Sequence, residues 1–238
     1  MTKIENWNGS KWEFTKNRSR WHFDPSIPAE PGKDSFTFVC RFIGDFTDAV
    51  KECLTRVKPN TFADRVPGVD NLYSAEAEEA DLIKHGADPK MKIFERTLAD
   101  DFPIFKAIND YLGLDGSGIK FHNQRMGQMV PWHIDNFAGH FTRENTFQQT
   151  EMDINPDSAR RFIVFLDDWK HGQIWQIGNA TFTNWKKGDC ITWEWFDLPH
   201  STCNMGFWDR PILQLTGLTS ERTKEVLEKA STNQIVQL

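Results

Sequence analysis

The sequence predicts a mainly β protein with flanking helices, its core a jelly roll of short strands. Three observations carry this. From about residue 117 the chain breaks into short aromatic or β-branched runs separated by turn signals. Ten Trp and nineteen Phe against two Tyr supply the bulk that fills the inside of a β-architecture. Helical periodicity is confined to the flanks of that region.

The first hundred residues are irregular. "FDPSIPAEPGKDS" (23–35) is rich in Pro, Gly and Asp and reads as a loop. "SFTFVCRF" follows as a strand. "DFTDAVKECLTRV" then reads as an amphipathic helix that Asp45 or Thr47 can cap. "SAEAEEADLIKHG" has helix-forming composition, a Ser start and a Gly stop. In "LADDFPIFKAINDYLGL", Phe105, Ile108 and Leu112 recur at helical spacing and Pro103 suits the first turn.

The strand region comprises "GIKFHNQRMG", "QMVPWHIDNF", "RRFIVFLDDW", "GQIWQIGN", "ATFTNWKKGD", "CITWEWFDLPH" and "RPILQLTGL". Many short strands in succession fit a sandwich or barrel of jelly-roll type. Residues 143–159 are polar and read as a long loop beside the site, a place where lids occur. "TSERTKEVLEKAS" closes the chain as a helix with Thr219 or Ser220 as its cap. The expected organisation is an α/β elaboration over 1–116, a core over 117–218, and a C-terminal helix and tail over 219–238, all one structural unit.

Bulk properties narrow the function. A formal charge of −6 disfavours broad contact with a phosphate backbone, so nucleic acid is not an expected partner. No window of the sequence reaches the length and apolarity of a membrane span, and no membrane partner is expected. Cys40, Cys53, Cys190 and Cys203 form no CxxC pair. With no apolar stretch in "MTKIENWNGSKWEF", they read as reduced thiols in a cytoplasmic protein. Nothing in the sequence speaks to oligomeric state.

The chemistry begins at "PWHIDNF" (131–137). On an extended chain His133 and Asp135 project from one face, so an imidazole and a carboxylate converge among apolar neighbours. They either pair with each other or hold a cation. His200, in "WFDLPHSTCN", arrives from a distant strand. Two His and one carboxylate make a facial triad, which leaves adjacent coordination positions open and is the ligand set of non-heme Fe(II) oxygenases. Ten positions on, Arg210 opens an otherwise apolar strand, where an unpaired guanidinium is costly and a carboxylate suits its planar fork. Arg161, in "ARRFIVFL", holds a similar position, either as a second grip on a diacid or as a surface charge. Asn123 and Arg125 could reach cosubstrate or substrate, Thr202 and Asn204 could touch the cosubstrate, and Gln128 and Asn136 flank the metal strand; for each, a turn-capping or solvated role is the competing reading. Trp132, Trp193 and Trp195 are candidates to keep the site dry.

On "HID" (133–135), "PH" (199–200) and Arg210, the chain resembles the Fe(II)/2-oxoglutarate-dependent dioxygenases. "RRFIVFL", "NWKKGD", "HSTCN" and "RPILQL" are similar to the aspartyl/asparaginyl β-hydroxylase group and the free-proline hydroxylases. The resemblance covers roughly residues 117–218. It implies a double-stranded β-helix of cupin-like form, with His133, Asp135 and His200 holding Fe(II). It also implies 2-oxoglutarate bound through Arg210 and, at the strand head, Arg161; strand alternation makes Thr202 and Asn123 candidate further cosubstrate contacts. Dioxygen is the oxidant and ascorbate an accessory reductant. The implied reaction is hydroxylation of an unactivated C–H bond of an amino acid, free or within a peptide. Some β-hydroxylases of this group lack the metal-binding Asp, whereas Asp135 is present here, filling the position that halogenases leave to chloride. Three alternatives stay open: the same chemistry on an alkylated nucleobase, a cupin-like metal protein without oxygenase activity, and a jelly-roll interaction module.

Overall fold

The computed structural model describes residues 36–61, 75–84, 86–133, 135, 159–178, 180–193 and 198–238. The loop expected at 23–35 and all but the last residue of the one at 143–159 lie outside them, as do Asn136 and Trp195.

Among the described residues, eight strands build the core. They are β4 (Leu114–Gln124), β5 (Met129–His133), β6 (Ala159–Phe165), β7 (Gln173–Ile177), β8 (Ala180–Phe182), β9 (Asp189–Thr192), β10 (His200–Asn204) and β11 (Arg210–Thr219). They step between two sheets, with β7 and β8 forming a hairpin within one of them. β4, β6, β9 and β11 lie side by side in the large sheet in the order β9-β6-β11-β4, and β5, β7, β8 and β10 form the small one in the order β5-β10-β7-β8. Strands that step from sheet to sheet and pair antiparallel make a jelly roll, the double-stranded β-helix expected from the sequence.

The large sheet is widened on both sides. β1 (Thr37–Ile43) pairs with β9, and β12 (Ile235–Gln237) runs parallel to β1 at that edge. At the other edge β3 (Lys92–Leu98) pairs with β4, and β2 (Lys58–Thr61) pairs with β3. The sequence reading leaves β2, β3 and β12 out. "KIFERTL" alternates too weakly, with charges on both parities, and the other two are only three or four residues long.

The helices, all but the second, pack on the outer face of the large sheet; the second sets Leu82 beside Ile93 in a separate small cluster. In chain order the helices are α1 (Thr47–Arg56), α2 (Ala75–Lys84), α3 (Pro103–Leu112) and α4 (Glu221–Glu228). In α3, Pro103 occupies the first turn, and Phe105, Ile108 and Leu112 are buried as their spacing predicts. They pack with Ile119, Phe121, Phe162, Val164, Leu213 and Leu215 from the sheet beneath. Gly113 ends α3 in the left-handed conformation (φ 69°), where a Cβ would also run into Arg222. α1 starts after Phe46, and Asp45 accepts from the Thr47 N–H at 3.0 Å. Ser220 caps α4 in a reciprocal bond pair with Thr223, and both hydroxyls also donate to the Gly113 carbonyl.

The other face of the large sheet turns toward the small sheet. Ile163, Phe165, Ile191 and Ile212 meet Trp175, Ile177, Trp185 and Trp193 there in a second core. Trp132, considered as a screen for the site, is instead 38% exposed.

Candidate metal centre

Two antiparallel strands bring the imidazoles together. β5 and β10 pair with His133 directly opposite His200, and the rings lie 4.2 Å apart between centroids. Asp135 follows two residues after the end of β5. Its Oδ1 lies 3.9 Å from His133 Nε2 and its Oδ2 lies 3.7 Å from His200 Nε2. All three residues are buried, and one donor atom from each falls within 4.8 Å of the others. Two donors each about 2.1 Å from one ion stand at most about 4.2 Å apart, so the carboxylate spacings fit a shared ion. The Nδ1 atoms face outward, His133 toward Pro131 O at 2.8 Å and His200 toward Leu198 O at 3.3 Å. A proton held there leaves each Nε2 lone pair aimed at Asp135.

Arg161 is drawn to this triad. Its Nη1 donates to Asp135 Oδ1 and its Nε to Thr216 Oγ1 at 3.1 Å. The strand-head arginine expected to grip the cosubstrate thus engages the metal-side carboxylate.

Arg210 lies deeper. It is 3% exposed, its Nη2 donates to Gln124 Oε1 and to Thr202 Oγ1 at 2.9 Å, and its guanidinium stands 5.0 Å over the Trp175 ring. Nε has no partner, and among the described residues no carboxylate pairs with it. Burial pulls its pKa down to about 9, which still leaves it charged at pH 7. The Trp175 and Trp193 indole N–H groups also lack partners, and Trp193 packs edge-on against His200 at 4.8 Å. Unpaired donors beside a buried cation suit an anion.

Thr202, a candidate cosubstrate contact, accepts from Arg210 instead of standing solvated. Asn123 does not. The register places Gln124 opposite Arg210 and Asn123 opposite Pro211, so Asn123 turns to the other face and Gln124 takes the site position. Strand parity alone separates these neighbours, and parity depends on the turn that follows. In that turn Gln128 Oε1 accepts from the Arg125 N–H at 2.8 Å. Arg125 is exposed and ion-paired to Glu95, and the Asn204 amide is spent on the carbonyls of Gln124 and Trp208. These three side chains hold turns and surface.

No protein-family model and no curated protein matches the chain. Solved structures similar to it include a cupin 2 conserved barrel domain protein from Salinispora arenicola (TM-score 0.32, 7% identity, 58% of this chain and 89% of that one). A predicted oxalate decarboxylase from Thermotoga maritima gives 0.30 and 15%, over 52% and 81% of the two chains. A non-heme monooxygenase in a nickel complex gives 0.33 and 16%, over 49% of each. At these scores the likeness is remote, and the fold assignment rests on the strand order and pairing. No helix among the described residues is long and apolar enough to cross a membrane.

Proposed function

We propose that the protein is an Fe(II)- and 2-oxoglutarate-dependent dioxygenase that hydroxylates an unactivated C–H bond of an amino acid, free or in a peptide. Residues 117–218 form its catalytic core. The observation that carries this reading is Arg210, a buried guanidinium that pairs with no carboxylate among the described residues, in the same barrel as a His-Asp-His cluster. A cupin-type metal protein that binds no diacid has no use for such a cation, which costs several kcal/mol to bury.

The donor set fits ferrous iron: two neutral imidazoles and one carboxylate, with no thiolate among them. Iron held there with 2-oxoglutarate would supply the oxidising chemistry, in which dioxygen is consumed, the cosubstrate becomes succinate and carbon dioxide, and a C–H bond becomes C–OH. The chain's own residues do the rest. Arg210, with Thr202 and Gln124 fixing its fork, binds the cosubstrate's remote carboxylate. Arg161 orients Asp135. Trp175 and Trp193 exclude water from the space beside His200. The four free cysteines fit a cytoplasmic location.

Anaerobic addition of Fe(II) and 2-oxoglutarate tests the reading. A weak visible charge-transfer band is expected, lost in His133→Ala and His200→Ala. Arg210→Met should weaken 2-oxoglutarate binding by roughly 100-fold and metal binding by less than about threefold, consistent with removing a buried charge-assisted pair. If the wild type gives no band and releases no succinate in air, the cupin-type metal protein is the better account. Succinate release with methylated nucleobases but no amino acid or peptide would instead favour the demethylase alternative.

A further inference from the structure

We propose that His122 is a second anchor for the cosubstrate: its Nε2 donates to the metal-side carboxylate of the bound 2-oxo acid, while Arg210 holds the remote one. This rests on the dioxygenase reading and adds to it a contact at the metal end of the acid.

The strands place His122 on the wall that faces the triad. Along β4 it stands opposite Ile212 of β11, a member of the core between the sheets, so its side chain turns to the barrel interior, as that of Gln124 does two residues on. Gln124 Oε1 meets Thr202 Oγ1 across that interior at 3.2 Å. Just past this contact β4 and β10 end at one corner, where Asn204 Nδ2 donates to the Gln124 carbonyl at 2.8 Å. The two strands thus run toward the same end of the barrel on facing walls. One same-face step back from the contact stands His122 on β4 and His200 on β10.

That step also matches the cosubstrate. Two residues of strand cover about 7 Å, comparable with the span of a five-carbon diacid. An acid seated on Arg210, which pairs with Gln124, brings its other end level with His122 and His200. Both imidazoles of the triad come from the small sheet, so the vacant side of a facial triad would turn toward the large sheet that carries His122.

The His122 ring is held ready for a ligand. It is only 7% exposed, it stacks on Phe94 with centroids 4.3 Å apart, and its Nε2 has no hydrogen-bond partner. A buried polar atom left unmatched is costly, and a bound acceptor removes that cost. Burial first, and then Lys120, Arg96, Arg161 and Arg210, hold the imidazole neutral. The last two bracket the site, one on Asp135 and the other at the clamp. A neutral ring can carry its proton on Nε2 and donate from there. Arg210 Nε and the indole N–H groups of Trp175 and Trp193 are unpartnered donors in the same interior. A ligand with oxygen acceptors at both ends suits this set, and a cation does not.

Anaerobic titration of 2-oxoglutarate into Fe(II)-loaded protein, read by the charge-transfer band, tests this. His122→Phe keeps a ring to stack on Phe94 but has no N–H. It should weaken 2-oxoglutarate by about tenfold or more, the worth of a hydrogen bond to a charged group. The band should move to shorter wavelength, because no donor then draws charge from the chelating end. Fe(II) affinity, measured without 2-oxoglutarate, should change by less than about threefold. His122→Gln, which keeps a donor, should bind 2-oxoglutarate within about threefold of wild type. The inference is overturned if His122→Phe binds 2-oxoglutarate as wild type does with its band unmoved. It is also overturned if His122→Gln binds no better than His122→Phe, or if Fe(II) affinity falls as far as 2-oxoglutarate affinity, since His122 would then serve packing alone. A wild type that gives no band and binds no 2-oxoglutarate removes the dioxygenase reading itself, and this inference with it.

Discussion

Arg161 closes its guanidinium on Asp135 at Oδ1, the oxygen nearer His133, and leaves Oδ2 turned to His200. The arginine and a divalent ion would therefore share one carboxylate, and each supplies positive charge to a residue only 3% exposed. That sharing makes their contributions interchangeable in part.

Arg161→Met should lower the stability of the metal-free protein by roughly 3 kcal/mol, because a buried carboxylate loses counter-charge. In a domain of this size that is about 6–12 °C in Tm. Mn(II) should then raise the Tm of the variant by more than it raises that of wild type, since the ion replaces what the arginine supplied. Equal metal-induced shifts in thermal scans would show that the two charges act separately.

Arg210 predicts the opposite sign. With neither metal nor cosubstrate bound, its charge is buried without a carboxylate, and Gln124 and Thr202 can still bond each other at 3.2 Å when it is gone. Arg210→Met should therefore be as stable as wild type, or more stable by about 1 kcal/mol. It should also lose the Tm rise that 2-oxoglutarate gives wild type. A variant several kcal/mol less stable that still responds to 2-oxoglutarate would make Arg210 a structural residue.

His122 couples stability to acid. Its folded pKa lies well below the ordinary 6.5, so below that pH the unfolded chain binds a proton that the folded one refuses. Its neutral burial costs nothing extra above pH 6.5, and stability falls as pH drops beneath it. The slope from this one group is at most about 1.4 kcal/mol per pH unit. Urea unfolding at pH 7.0 and 5.5 should show a smaller loss for His122→Gln than for wild type, and parallel losses would remove His122 as the cause.

How much could be read in advance follows from how local each signal was. His133 and Asp135 sit two apart, and His200 follows a turn into a strand, so alternation alone carried the triad. The helix α3 was equally plain, because Phe105, Ile108 and Leu112 mark one face. Gln124 and Asn123 differ only in parity, which the pairing with β11 decides, and no composition reveals that. The partner of Arg161 was hidden for a related reason. Its position at a strand head was visible, but its contact with Asp135 arises from two sheets folding over each other. β3 escaped notice because its barrel-facing side carries Phe94 and Arg96 in place of a clean apolar row.

The bonds from Ser220 and Thr223 to the Gly113 carbonyl tie the entry of the first core strand to the exit of the last. Both ends of the eight-strand unit thus emerge at a single corner. Splicing them together with a short linker and opening the chain elsewhere would keep every strand in its place. By the same geometry, flanking segments can be swapped or resized at that corner without any segment crossing the strands that carry the ligands.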